Sequence, residues 1–245
     1  MTKLLAYPLT VIYYIFFGLL LLVFHPIQIV CLNVFGYQAH KKSVVVLNLL
    51  LTRCLHILGV KYTFKVPKSI DSNIPTIIVA NHQSMNDIPP IIWFMRRFHV
   101  KFISKKELGK GLPSVSYNLR HGGSVLIDRK NGHQSINAIK IMANYIETHK
   151  RSVVIFPEGS RSRDGKPKVF KTKGLLTLLE NAPNAQVVPI TINNSWKLLR
   201  YGKFPLGINI HMHYTFHNPI KVVDMKHDML LKTIEKQITE AIKND

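Results

Sequence analysis

Acidic side chains are scarce in this sequence. Thirteen Asp and Glu stand against 33 Lys and Arg, giving a net charge of +20 over 245 residues. No acid precedes Asp71, so the first seventy residues are neutral or basic. Such a balance favours an anionic partner: nucleic acid, an anionic membrane surface or a phosphorylated substrate. Cysteine is almost as rare. Cys31 and Cys54 form neither a metal-ligand spacing nor a disulfide framework, so a reducing compartment is expected. No internal repeat and no low-complexity linker interrupts the chain, and its length suits one domain plus an appendage.

Charge of either sign is missing from Leu4 to Phe24, 21 residues in all. Apart from His25, the uncharged stretch continues to Ala39. About 20 apolar residues can cross a bilayer core, and soluble helices rarely stay apolar on every face for this long. No small-x-small cleavage site follows, which argues against a cleaved signal peptide. Pro8 and Pro26 interrupt the run, so two shorter helices dipping into one leaflet compete with a single span. Lys41, Lys42 and Arg53 would keep the following domain on the cytoplasmic side of the membrane.

Residues 1–60 are therefore expected to be membrane-anchoring helices and 61–245 a folded domain. Ser43–Val60 reads as a helix leading into it. Strand-like runs recur at Lys61–Lys65, Thr76–Ala80, Val100–Ile103, Ser124–Ile127, Ser152–Phe156, Val187–Ile192 and Ile208–Phe216. Helical stretches at Pro90–Phe98, Ser114–Arg120, His133–His149 and Lys171–Asn181 fall between them. An amphipathic helix closes the chain at Met225–Lys243. Alternation of this kind predicts an α/β fold, a central mixed sheet flanked by helices.

Four constellations carry possible chemistry. In Asn81-His82-Gln83-Ser84-Met85-Asn86-Asp87, a histidine and an aspartate stand five positions apart after an apolar strand. Five residues of helix rotate by about 140°, so the two meet only if His82 sits on the turn and Asp87 on the first helical turn. A carboxylate on one ring nitrogen fixes the tautomer and makes the other nitrogen a general base. Ser84-x-x-Asp87 also reads as a capping box, a clasp at a helix start. The second block, Gly122 to Arg129, is a strand tipped by Asp128-Arg129, which alone reads as a surface ion pair. In the third, Phe156-Pro157-Glu158-Gly159-Ser160-Arg161-Ser162, Gly159 turns the backbone and Ser160 offers a donor. Arg161 suits bidentate contact with a phosphate, and Glu158 would hold that arginine or touch a glycerol. A Ser-capped polar loop is the plain alternative. The fourth is the basic run. Arg96–Lys130 holds nine Lys or Arg against two acids, and Arg161–Lys173 holds six against one. Most of these side chains read as a solvated face resting on anionic lipid.

In order and spacing these blocks resemble the glycerolipid acyltransferase family, most closely its bacterial 1-acyl-sn-glycerol-3-phosphate (lysophosphatidic acid) acyltransferases. The family pattern runs His, four residues, Asp; then a Gly-led strand ending Ile-Asp-Arg; then Phe-Pro-Glu-Gly-(Ser/Thr)-Arg-Ser; then a Val-Pro-Ile strand, here Val188-Pro189-Ile190. The resemblance spans about residues 60–200. Val125-Leu126 and Lys110-Gly111-Leu112-Pro113 depart mildly from it, the latter in a region that bears on the acyl pocket. The resemblance implies a membrane-bound enzyme of the glycerolipid acyltransferase fold. His82 and Asp87 would be catalytic. Arg129, Glu158, Gly159, Ser160 and Arg161 would hold the acceptor's phosphate and glycerol. Lys105 or a backbone N–H in the Gly159 turn would face the oxyanion. It implies no metal and no cofactor, with acyl-CoA or acyl-carrier protein as co-substrate, and membrane lipids and lysophosphatidic acid as partners. A nucleic-acid partner is not expected, since no recognised binding motif is present and nine aromatics lie before residue 63 with the apolar segment. Two rivals remain: an acyltransferase for another lysophospholipid or a lyso-aminolipid, and a non-catalytic basic membrane-binding protein.

Overall fold

The structure is a computed structural model that describes residues 2–243. Its first helix, α1 (Thr2–Phe35), runs unbroken for 34 residues through both prolines. An interior proline removes one i→i−4 hydrogen bond and crowds the i−4 carbonyl, yet the helix continues past both, supported by its contacts to the domain. The expected interruption at Pro8 and Pro26 is therefore absent. Gly36, at φ 80°, reverses the chain, and α2 (Tyr37–Cys54) returns against α1 through Leu21, Leu47 and Leu51. The helix expected over Ser43–Val60 thus starts earlier and ends at a 3₁₀ turn, Leu55–Leu58, stopped by Gly59 at φ 70°.

At about 51 Å, α1 is longer than the ~30 Å hydrocarbon core, and it does not project away from the rest. Polar contacts to the sheet domain occur along its length. Thr10 Oγ1 accepts the Leu206 N–H at 2.9 Å, Tyr13 OH donates to Asn86 Oδ1 at 3.2 Å, and Tyr14 OH donates to the Lys203 carbonyl at 2.8 Å. Farther along, Ser114 Oγ donates to the Leu21 carbonyl at 2.7 Å and Asn33 Nδ2 donates to Tyr117 OH at 3.4 Å. The outward side leaves Leu5, Ile15, Leu19, Leu22, Val34 and Phe35 more than half exposed.

The sheet is built from β1 (Lys61–Lys65), β2 (Thr76–Ala80), β3 (Val100–Lys105), β4 (Val125–Ile127), β5 (Ser152–Ile155), β6 (Gln186–Asn193), β7 (His211–Phe216) and β8 (Ile220–Lys221). Its order is β1-β7-β6-β2-β5-β3-β4, with β8 beside β6. The β6–β7 and β6–β8 pairs are antiparallel and the others parallel, so the sheet is mixed. Pro189 has no N–H to give. It falls where β6 changes partner, from β8 through Val187 to β7 from Ile190. β8 has only two residues, too few for an alternating pattern to reveal.

Successive strand residues face opposite layers. Ile78, Ala80, Val154 and Val188 pack with Tyr13 of α1 and with Ile91 of α3 (Ile88–Phe94). Ile77, Val79, Val153 and Val187 pack against α5 (Gly132–His149), α6 (Thr172–Asn181) and α7 (His227–Glu240). A short α4 (Val115–His121) precedes β4. α7 is shorter than the expected Met225–Lys243, because a 3₁₀ turn at Val222–Asp224 and extended backbone at Met225 come first.

Replacing Ile15, Leu19 and Leu22 with serine removes apolar surface that meets no core. Flotation with phosphatidylglycerol-containing vesicles is expected to fail for this variant, with Tm moved by no more than about 2 °C. Undiminished flotation would remove this face as the lipid contact.

Candidate active site

β2 delivers its next residues to the carboxyl ends of the parallel strands, where ligands of α/β sheets collect. Asn81 fixes the exit. Its side chain imitates a strand partner, donating to the Ile192 carbonyl at 2.8 Å and accepting the Ile192 N–H at 2.7 Å. His82 comes next and is held by its own backbone. Its N–H donates to Glu158 Oε1 at 2.7 Å, and its carbonyl accepts the Ser162 N–H at 2.7 Å. Two motifs 76 residues apart are therefore stitched together at the histidine.

Ser84 caps the 3₁₀ turn Met85–Asp87. Asp87 Oδ2 accepts the Ser84 N–H at 2.8 Å, the Gln83 N–H at 2.8 Å and His82 Nδ1–H at 2.9 Å. The capping box and the His–Asp pair, alternatives in the sequence, are a single arrangement. The Asp87 side chain is fully buried while His82 keeps 16% of its side chain exposed. The ring thus reaches solvent and the carboxylate does not. Nδ1 is occupied, which leaves Nε2 as the proton acceptor of the neutral ring. Phe156 stacks on that ring, centroids 4.2 Å apart at 20°, and fixes its plane.

His82 opens into a cleft of about 1370 Å³, also lined by Lys105, Arg129, Gly159, Ser160 and Arg161. Six of the eight expected site residues share this one space. The other two, Asp87 and Glu158, stand behind it. Glu158 is only 3% exposed. It forms no ion pair with Arg161 among the described residues; its oxygens accept backbone N–H groups instead, Oε1 from His82 and Oε2 from Lys168 at 3.1 Å. Burial pushes its carboxyl pKa up, and those two N–H groups offset part of that rise.

Asp128 and Arg129 do not form the expected ion pair. Asp128 lies 4.0 Å from Lys106 and accepts the Lys130 N–H at 3.0 Å, while Arg129 extends, exposed, into the cleft. Gly159 adopts φ 68°, and its N–H donates to the Phe156 carbonyl at 3.0 Å. That amide is spent and cannot face an oxyanion, which narrows the backbone candidates to its successors in the turn. Lys168 was hidden in the sequence among like charges. It folds over the third motif, with Nζ donating to Ser160 Oγ and to the Arg161 carbonyl, each at 2.9 Å. The cleft lining also includes apolar side chains from both layers of the sheet, Ile88 and Phe102 from one and Ile103, Ile127 and Ile155 from the other. Among the described residues no three His, Cys, Asp or Glu lie together as metal ligands.

A positioned imidazole in a cleft that carries both cationic and apolar side chains is equipment for chemistry on an amphipathic anion. Residues 61–193 match the acyltransferase family model, and the chain belongs to that family. A chloroplastic 1-acyl-sn-glycerol-3-phosphate acyltransferase of Arabidopsis thaliana is 30% identical over 171 residues, covering 70% of this chain and 46% of that protein. The enzyme of the same name from Borreliella burgdorferi is 26% identical over 77% of this chain and 74% of its own. This chain spans about half the length of the plant relatives it matches. The crystal structure of the 1-acyl-sn-glycerophosphate acyltransferase PlsC of Thermotoga maritima shares the fold, with a TM-score of 0.77, 23% identity and coverage of 99% and 96% of the two chains.

Glu158→Gln would leave one of two backbone N–H groups facing an amide NH₂. Urea unfolding in detergent is expected to show a loss of about 1–3 kcal/mol. An unchanged midpoint would mean that the carboxylate does not tie the motifs.

Proposed function

We propose that this protein moves a fatty acyl group from acyl-CoA or acyl-carrier protein to the sn-2 hydroxyl of 1-acyl-sn-glycerol 3-phosphate, giving phosphatidic acid. The observation that carries the reading is the His82 ring, clamped by buried Asp87 and opening into a cleft lined by Arg129, Arg161 and apolar side chains. The relatives named above support the choice of acceptor.

In the proposed reaction His82 Nε2 takes the proton of the acceptor hydroxyl as its oxygen attacks the thioester carbonyl. The tetrahedral intermediate collapses, the C–S bond breaks, and the proton passes from His82 to the departing thiolate. Asp87 stabilises the imidazolium formed between the two steps. Arg129 and Arg161 meet the phosphate dianion with two guanidinium groups. Lys105 or an amide after Gly159 would supply the oxyanion donor. The acyl chain lies along Met85, Ile88 and Phe102. Because α1 touches the sheet domain at Thr10, Tyr13, Leu21 and Asn33, it would lie in one leaflet instead of crossing the bilayer. The domain would face the cytoplasm.

Acyl transfer by the detergent-solubilised protein tests this, with lysophosphatidate, lysophosphatidylcholine and glycerol 3-phosphate offered in parallel against each donor. Preference for lysophosphatidate is expected. A different preferred acceptor would overturn the substrate and keep the base, while failure of all three with both donors would overturn the enzyme. His82→Ala should abolish transfer without loss of fold. Asp87→Asn is the sharper variant. Its amide oxygen can keep the three hydrogen bonds, and its NH₂ takes the place of Oδ1, which is buried without a partner. Tm should hardly move while kcat falls about 10²–10⁴-fold. A kcat within twofold of the parent would show that the charge of Asp87 is not used. Arg161→Ala is expected to raise KM for the acceptor more than it lowers kcat, and an unchanged KM would take Arg161 out of the phosphate site.

A further inference from the structure

A second cluster of basic groups lies at the opposite ends of the same strands. His99 and Lys101 open β3, Gly122 to Ser124 lead into β4, and Arg151 precedes β5. The first turn of α2 brings Tyr37, His40 and Lys41 against them. A small cavity of about 30 Å³ sits between, lined by His40, Lys41, Arg96, His99, Lys101 and Gly122 among others, with no acidic residue in its wall. Among the described residues none of these cations has a carboxylate within salt-bridge distance.

The arrangement is expensive as it stands. Lys101 is only 6% exposed. Its Nζ donates to the Gly122 carbonyl and lies 5.1 Å from the centre of the Tyr37 ring, which Arg151 also faces at 5.4 Å. Burial first, then the charges of Arg151 and Lys41, lower the Lys101 pKa to about 7. The same forces, burial foremost, push His99 down to about 3, while its Nε2 shares a 2.8 Å hydrogen bond with Tyr37 OH. His40 is 1% exposed, and neither ring nitrogen has a partner. Buried polar groups are normally satisfied, and buried charges are normally paired. An ammonium with two protons to spare, an unpartnered imidazole and a second lysine around one cavity form a donor set that lacks its acceptor.

We propose that this cavity binds a phosphate oxyanion, held by Lys101, Lys41 and His40 at a site separate from the catalytic cleft. A tetrahedral oxyanion accepts from several directions at once, as this donor set requires. Two sources offer the same chemistry, free phosphate and the phosphate of a membrane lipid. Phe35, 70% exposed at the tip of the α1–α2 hairpin, places apolar surface two residues from Tyr37, as a lipid headgroup beside its acyl chains would require.

The test uses full-length protein carrying Arg129→Ala and Arg161→Ala, which silences the cleft as a phosphate site. Inorganic phosphate is titrated at an ionic strength held constant with chloride. At ten times its Kd, phosphate is expected to raise Tm by about 3–6 °C. Lys101→Met keeps the aliphatic stem and removes the ammonium, so in the same background it should abolish the rise. If that variant does not fold, Lys41→Gln should weaken the rise and serves the same purpose. No rise, a rise that survives both substitutions, or an equal rise with chloride would each overturn the proposal. Vesicles of phosphatidylcholine, with or without phosphatidic acid, then separate the sources. Tighter binding to the acidic vesicles that depends on Lys101 identifies a lipid phosphate. Vesicle binding indifferent to Lys101, beside a Lys101-dependent phosphate shift, identifies the free ion.

Discussion

One oxygen atom organises the active end of this molecule. Asp87 Oδ2 accepts three N–H groups, from the Gln83 and Ser84 backbone and from the His82 ring, in a fully buried position. An isolated carboxylate at such depth would cost several kcal/mol or take up a proton. Three converging donors make the charge tolerable there and fix the turn at the same time. The bond that orients the imidazole is thus one of the bonds that shape the backbone carrying it. Local folding and site geometry are the same event, which is why a cap and a histidine–carboxylate pair can share the residues Ser84 to Asp87.

Glu158 does for the distance between strands what Asp87 does for the turn. Its two oxygens reach the N–H of His82 and the N–H of Lys168, joining the end of β2 to the loop after β5. With the Ser162 N–H on the His82 carbonyl, the histidine backbone is held from both sides. Phe156 then sets the plane of the ring. The two arginines are left on the open side, where neither is tied into a salt bridge among the described residues. Buried acids hold the scaffold and exposed cations face the cleft.

Most of the sheet was legible because its strands are short apolar runs bounded by turn residues. Thr76–Ala80 and Lys61–Lys65 coincide residue for residue with β2 and β1. The motif residues were legible as a set because residue type and spacing both constrain them. Their division of labour was not. Glu158 next to Arg161 suggests an ion pair in one dimension, and only the fold shows that a histidine amide 76 residues away claims the carboxylate. Lys168 could not be distinguished from its basic neighbours by composition. Pro8 and Pro26 misled for a related reason. Proline reports the loss of one local hydrogen bond, and a 34-residue helix supported along its length by the domain absorbs two such losses.

The same limit applies to the charge of +20. A sum over the chain cannot separate solvated lysines, whose fields are screened within about 10 Å, from cations enclosed by protein. The fold makes that separation. Arg96 to Lys130, uniform in the sequence, divides between Arg129 at the carboxyl ends of the strands and Lys101 at their amino ends. Lys101 is buried beside Lys41, contributed by α2, and faces the Tyr37 ring together with Arg151. Among the contacts between the α1–α2 hairpin and the domain, two differ sharply in their electrostatics. Neutral hydrogen bonding through Tyr13 and Asn86 meets the turn between His82 and Asp87. At the other end, cations crowd the start of α2 with no acid in the cavity wall. Mutual repulsion would loosen the second junction unless Lys101 gives up its proton or an anion enters. The electrostatics of that junction thus bear on how firmly the hairpin sits against the strands that carry His82.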